Sequence, residues 1–236
     1  MLIRVISDVH SNLPALESVL AERAGQEADI TVCLGDVVGY GADPSKCIRL
    51  VRDVCSAVVS GNHDSGVAGG TPRSHFNRAG ADAVDWTRGT IGQEELEWLA
   101  GLPLQEEQED FFLCHSDPAL PEGWRYILTR GAAISALEAK PGRISLVGHT
   151  HLPGVWSSGG VFSEAESGVL AGPLLINCGS VGQPRDGDPR AAFLLLDTSA
   201  RTWRHVRVTY DIEAAAAGIR KAGLPELLAD RLFIGR

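Results

Sequence analysis

Short apolar runs recur along the chain, and most are followed at once by glycine or by a residue that can bind a proton or a metal. Residues 2–6, 29–34, 56–59, 111–114, 143–147 and 174–176 are too short for helices and lack the 3.6-residue period, so they read as buried strands. Residues 191–196 and 202–208 read as two more. Between the early strands the period changes. Ser11 or Asn12 can cap a helix that carries Pro14 in its first turn, turns Leu13, Leu16 and Leu20 inward and stops near Gly25. Asp43-Pro44 starts another, with Cys47, Ile48, Val51 and Val54 or Cys55 facing in. Residues 77–88, 93–99, 132–139 and 211 to the end also read as helical, the last broken at Gly223-Leu224-Pro225. Residues 65–74 are rich in glycine and read as a mobile loop without a nucleotide P-loop pattern. Residues 106–110 read as a solvated acidic turn, and 154–172 as a strand pair with an irregular tip. Strands and helices alternate early and strands dominate later, which predicts an α/β or α+β sandwich with sheets inside and helices outside.

Composition narrows this. A chain of 236 residues, 44% hydrophobic and 22% charged, can bury one substantial core, so 1–236 is expected to be a single domain. The net charge of −9 argues against duplex nucleic acid as a partner. It permits a small anionic substrate, because bound cations can reverse the local sign. Cys33, Cys47, Cys55, Cys114 and Cys178 are an odd and unpatterned set, expected of reduced thiols in a cytoplasmic protein. No signal peptide or membrane span is expected.

The polar residues at the strand ends carry the chemistry. Asp8 and His10, Asp36, Asn62 and His63, His115, and His149 and His151 each sit just beyond an apolar run. Five of the 7 histidines occupy such places; His75 and His205 do not. Ligands of open α/β sheets gather beyond the carboxyl ends of strands. Carboxylates and imidazoles together suit two divalent ions about 3.5–4 Å apart, a clamp for in-line displacement at phosphorus. Zinc, iron, manganese and nickel all accept such a donor set. Asp36, a single carboxylate at a central strand end, is the candidate bridge, and a hydroxide between the metals the candidate nucleophile. In the run Gly61-Asn62-His63-Asp64, Asn62 offers a neutral oxygen to a metal, His63 a proton donor or acceptor, and Asp64 a carboxylate to orient that imidazole.

Asp8-x-His10, Gly35-Asp36, Gly61-Asn62-His63-Asp64, His115 and Gly148-His149-x-His151 resemble the signature of the calcineurin-like metallophosphoesterases. The stretches 179–190 and 210–232 resemble the small bacterial phosphodiesterase branch of that family. The resemblance implies a four-layer sandwich of two mixed β-sheets flanked by helices. It assigns Asp8, His10 and His151 to one metal, Asn62, His115 and His149 to the other, and Asp36 to both. It places His63 beside the leaving group, oriented by Asp64. The implied activity is metal-dependent hydrolysis of a phosphodiester or small nucleotide ester, with a phosphomonoesterase or dinucleoside polyphosphate hydrolase as the alternatives. Some members of this fold family serve as binding scaffolds after losing ligands, but every expected ligand is present here. Tyr40 and Arg185 are the candidate substrate contacts. Ser116 stands where many relatives have glycine and could meet a phosphate oxygen; Cys178 stands where many have proline. By analogy with small relatives, the C-terminal helices are a candidate surface for self-association.

Overall fold

The computed structural model describes residues 1–109 and 111–236. Two six-stranded mixed sheets pack face to face. The first contains β1 (Leu2–Ile6), β2 (Ile30–Cys33), β3 (Cys55–Val58), β9 (Ser167–Val169), β11 (Ala191–Asp197) and β12 (Thr202–Val208), in the order β3-β2-β1-β11-β12-β9. The second contains β4 (Gln105–Glu107), β5 (Phe111–Cys114), β6 (Ile144–Val147), β7 (Gly154–Ser157), β8 (Val161–Ser163) and β10 (Leu174–Asn177), in the order β4-β5-β6-β10-β7-β8. β1, β2 and β3 run parallel, and so do β5, β6 and β10, so the carboxyl ends within each trio lie on one side.

These strands are apolar on both faces because both faces are covered. Ile3, Val5, Val32, Leu34, Leu194 and Leu196 of the first sheet meet Phe111, Leu113, Leu146 and Ile176 of the second in the central layer. The alternate residues Ile6, Cys33, Phe193 and Leu195 face α1 (Leu13–Ala21) and α3 (Pro44–Val54), which bury Leu16, Val19, Ile48 and Val51 against them. On the far side, Val147 and Leu175 pack on Ala133, Ala136 and Leu137 of α7 (Arg130–Ala139). The result is the expected sandwich of helices, sheet, sheet and helix.

Several boundaries differ from those read in the sequence. Asn12 caps α1 by accepting the Ala15 N–H, but the helix ends at Ala21, and Gly25 lies inside a second short helix, α2 (Arg23–Gln26). Val54 is exposed, and Cys55 begins β3. The glycine-rich segment is not a loop throughout: α4 (Asn62–Ala68) starts on the motif itself and ends at Gly69, and a 3-10 turn follows at Arg73–His75. α5 (Arg78–Thr90) and α6 (Gln93–Ala100) follow as expected. The acidic stretch supplies β4 instead of a turn, with Asp110 outside the described residues. The strand pair at 154–172 is three strands, of which β9 joins the other sheet. The C-terminal segment forms α8 (Ile212–Lys221) and α9 (Glu226–Ile234). No helix among the described residues is long and apolar enough to cross a membrane.

Candidate metal centre

The loops after β1 and β2 continue side by side past the sheet. The N–H groups of Asp8, His10 and Ser11 donate to the carbonyls of Gly35, Asp36 and Val37 at 2.9, 2.9 and 3.0 Å. The 179–190 loop is stitched to the same place: Val181 and Gly182 donate to the carbonyls of Ser7 and Asp8. Aiming so many side chains at one point costs backbone comfort. Asp8, His10, Asp36, His149 and His151 all have φ between 49° and 66°, which residues with a Cβ seldom adopt. A Cβ on Gly61 would overlap Asp36 Oδ1, and one on Gly148 would overlap Asp8 Oδ2, so only glycine allows these carboxylates to sit where they do.

Two groups of ligand-type atoms result, each with its members within 4.8 Å of one another: Asp8, His10, Asp36 and His151, and Asp36, His115 and His149. Asp36 is common to both. Asn62 lines the same cavity, and its Oδ1 is buried without a hydrogen-bond partner among the described residues, as is Asp8 Oδ1.

The imidazoles show what the centre can hold. His10 Nδ1, His115 Nδ1 and His151 Nδ1 lie 3.2, 2.8 and 2.5 Å from the carbonyl oxygens of Val38, Leu34 and Gln183. His149 Nε2 lies 2.9 Å from the Trp124 carbonyl. A carbonyl oxygen only accepts, so each of these ring nitrogens carries the proton and the other turns inward. The inward nitrogens meet in pairs, His10 Nε2 with His151 Nε2 at 3.2 Å and His115 Nε2 with His149 Nδ1 at 3.1 Å. Between two unprotonated nitrogens at that separation only a cation is favourable. In the second pair a proton can serve: burial disfavours charge on His115, but Asp36 and Asp8 outweigh it and raise the ring to about 9. In the first pair burial pushes both rings down. Burial would raise Asp8 and Asp36, yet the surrounding histidines hold both below the ordinary carboxylate range. Two anionic carboxylates, inward-facing imidazole nitrogens and orphaned carboxylate and amide oxygens together fit divalent metal ions.

The sequence profile of the calcineurin-like phosphoesterase superfamily domain matches residues 1–201. The chain belongs to the calcineurin-like phosphoesterase superfamily. It is thus a hydrolase of phosphoric ester bonds. The phosphoesterase is 40% identical over 242 residues to an uncharacterized protein of Methanocaldococcus jannaschii, an alignment covering 100% of this chain and 98% of the other. It is 37% identical to a metallophosphoesterase from Sphaerobacter thermophilus, whose crystal structure matches with a TM-score of 0.89 over 100% of this chain and 99% of that one. The phosphodiesterase YfcE of Escherichia coli is 27% identical over 204 residues, 81% of this chain and 84% of its own.

Beside the metal-type residues, the phosphoesterase holds His63 at the start of α4. Its ring packs against Tyr40, His10 and Phe76 at centroid distances of 4.3, 5.0 and 5.0 Å. Asp64 does not orient it, contrary to the sequence expectation. Asp64 Oδ1 accepts the Val38 N–H at 3.1 Å and Oδ2 the Gly61 N–H at 3.0 Å, so the carboxylate ties two loops together, and His63 Nδ1 is buried without a partner among the described residues. Burial lowers His63 to about 4, against the pull of Asp36, which keeps the ring neutral near pH 7.

Tyr40 and Arg185 both line the cavity. Tyr40 is wedged between His10 and His63, and its hydroxyl lies 3.5 Å from Arg185. Arg185 also donates to Gln183 Oε1 at 3.1 Å, while its Nε is buried without a partner among the described residues. Ser116 turns its hydroxyl away to the Pro121 carbonyl at 3.1 Å, which removes the expected contact with a phosphate. Gln183, Trp124 and Tyr126 were not legible as site residues. Two act through backbone carbonyls, which leave no signal in a sequence, and Tyr126 stands in no motif.

Proposed function

We propose that this phosphoesterase is a cytoplasmic phosphodiesterase of small nucleotide or related organic esters, working with two divalent metal ions. The observation that carries the reading is the pair of facing, inward-turned imidazole nitrogens on either side of one shared carboxylate, Asp36. Asp8, His10, His151 and Asp36 would hold one ion, and Asn62, His115, His149 and Asp36 the other. When bound, such ions supply Lewis acidity at a phosphoryl oxygen and a water acidic enough to ionise near neutrality.

The chain's own residues do the rest. The carbonyls of Val38, Leu34, Gln183 and Trp124 fix each ring's tautomer and direction. His63, neutral and pinned by aromatic rings, offers a hydrogen bond to the departing oxygen or a phosphoryl oxygen; a neutral imidazole suits that role better than proton delivery. Arg185 is the one lysine or arginine among the described residues lining the cavity, and its unpartnered Nε favours an anion there. The guanidinium offers a phosphoryl oxygen a donor beside the ligand-type residues, and the name of the relative YfcE points to a diester.

The test is hydrolysis of bis-p-nitrophenyl phosphate against p-nitrophenyl phosphate by metal-stripped protein, with manganese, nickel, zinc and magnesium added back in turn. Metal-dependent preference for the diester is expected. Preference for the monoester would replace this reading with a phosphomonoesterase. Failure of the stripped protein to take up metal would overturn the centre itself.

A further inference from the structure

The cavity beside Asp36, Asn62 and His63 measures only about 60 Å³. A phosphoryl group anchored there beside the ligand-type residues leaves the organic part of its ester facing the rim, where three residues lining the cavity are exposed: His75, Asn77 and Tyr126.

Tyr126 is the unusual one. Its ring lies flat on His149, 4.2 Å between centroids and 13° from parallel. One face is covered by that imidazole, yet the side chain remains 50% exposed. The segment that carries it is braced on both sides. The Trp124 carbonyl accepts from His149, Trp124 Nε1 donates to Thr71 Oγ1 at 3.0 Å, and Ile127 is buried against α7. A braced aromatic ring loses little conformational freedom when a second ring stacks on it.

We propose that Tyr126 is the stacking platform for a planar heteroaromatic group of the substrate, so that the phosphoesterase selects esters of nucleosides over esters of aliphatic alcohols. This rests on the reading above in one respect: the phosphoryl group anchors in the cavity. Stacking of a base on an aromatic side chain corresponds to a gain of about fivefold to about a hundredfold in affinity.

The experiment is calorimetric binding, with metal-loaded protein, of the methyl esters of two nonhydrolysable 5′-phosphonates, one of adenosine and one of ribose, each a singly charged diester analogue. The adenosine compound is expected to bind at least about fivefold more tightly. Tyr126→Leu should reduce that ratio to about one, and Tyr126→Phe should preserve it. If Tyr126 merely supports His149, Tyr126→Leu weakens both ligands and leaves the ratio intact, which overturns the proposal. A ratio near one in the parent, or no binding of either phosphonate, also overturns it. The nitrophenyl assay is independent: a diesterase with a ratio near one keeps its function and loses this platform.

Discussion

The two ends of β1 obey different rules. Over Ile3–Val5 the strand is paired on both sides in unbroken register, and its inward residues Ile3 and Val5 pack in the apolar layer of the sandwich. Two residues beyond it, Asp8, His10 and Ser11 take left-handed backbone, and two buried side chains carry or face charge. The contrast holds across the molecule. Of the nine non-glycine residues with positive φ among those described, eight form or brace the centre; Arg201, in the turn between β11 and β12, is the other. Each such residue costs on the order of 1 kcal/mol or more. The apolar interior supplies the stability that the rim consumes. Substitutions in the two regions should therefore fail in different ways.

Asp36→Asn should have the largest effect on activity. The amide keeps the volume and can still accept the His63 N–H at 2.8 Å, but loses the charge that both ligand groups share. We expect diesterase turnover to fall about a thousandfold or more, since charge stabilisation at such centres is worth several kcal/mol. The melting temperature of the metal-stripped protein should fall somewhat, because the charge that the histidines favour and that raises His115 is gone, while the increase on adding manganese should shrink with metal affinity. A large loss of stability without metal would mean that the rim is structural.

Leu146→Ala is the complementary test. Leu146 is fully buried on β6 in the layer between the sheets. Its truncation should cost about 2–5 kcal/mol in denaturant unfolding. Turnover measured well below the melting transition should remain near the parent value. Loss of turnover at full folding would show that the interior also tunes the centre.

His63→Ala should separate the rim into parts. The ring is not a member of either ligand group, so metal content is expected to hold while turnover falls about a hundredfold, the range for removing one transition-state hydrogen-bond donor. Equal turnover in mutant and parent would remove His63 from the chemistry.

Much of this division could be read in the chain, because long apolar runs and the residues that end them are local signals. What escaped notice depended on distant partners. Gly66 suggested flexibility, yet it is helical and glycine because a Cβ there would press on the Phe76 ring. β4 carries only glutamine and glutamates and so shows no alternation; pairing with β5 and the Lys140–Glu107 ion pair at 3.1 Å hold it. Asp64 was read as the partner of its neighbour His63, but the fold offers it two backbone N–H groups first. The metal-type residues were legible because they follow the ends of five apolar runs; the carbonyls that orient them were not.

The smallest expected effect concerns a histidine outside the rim. His205 on β12 donates from Nε2 to the Asn177 carbonyl at 2.8 Å and packs edge-on to Trp203, a member of the interior layer. Burial lowers its pKa, with the Asn177 hydrogen bond opposing. The unfolded chain then binds a proton near pH 6.5 that the folded chain resists, so stability should decline as pH falls below about 6.5. For one such group the loss from pH 6.5 to pH 5.5 is at most about 1 kcal/mol. His205→Gln should flatten that part of the pH–stability curve of metal-loaded protein, with diesterase turnover at pH 7.5 kept. If the slope is unchanged in His205→Gln, the acid sensitivity belongs to the histidines of the rim, and the interior is as indifferent to pH as its apolar composition suggests.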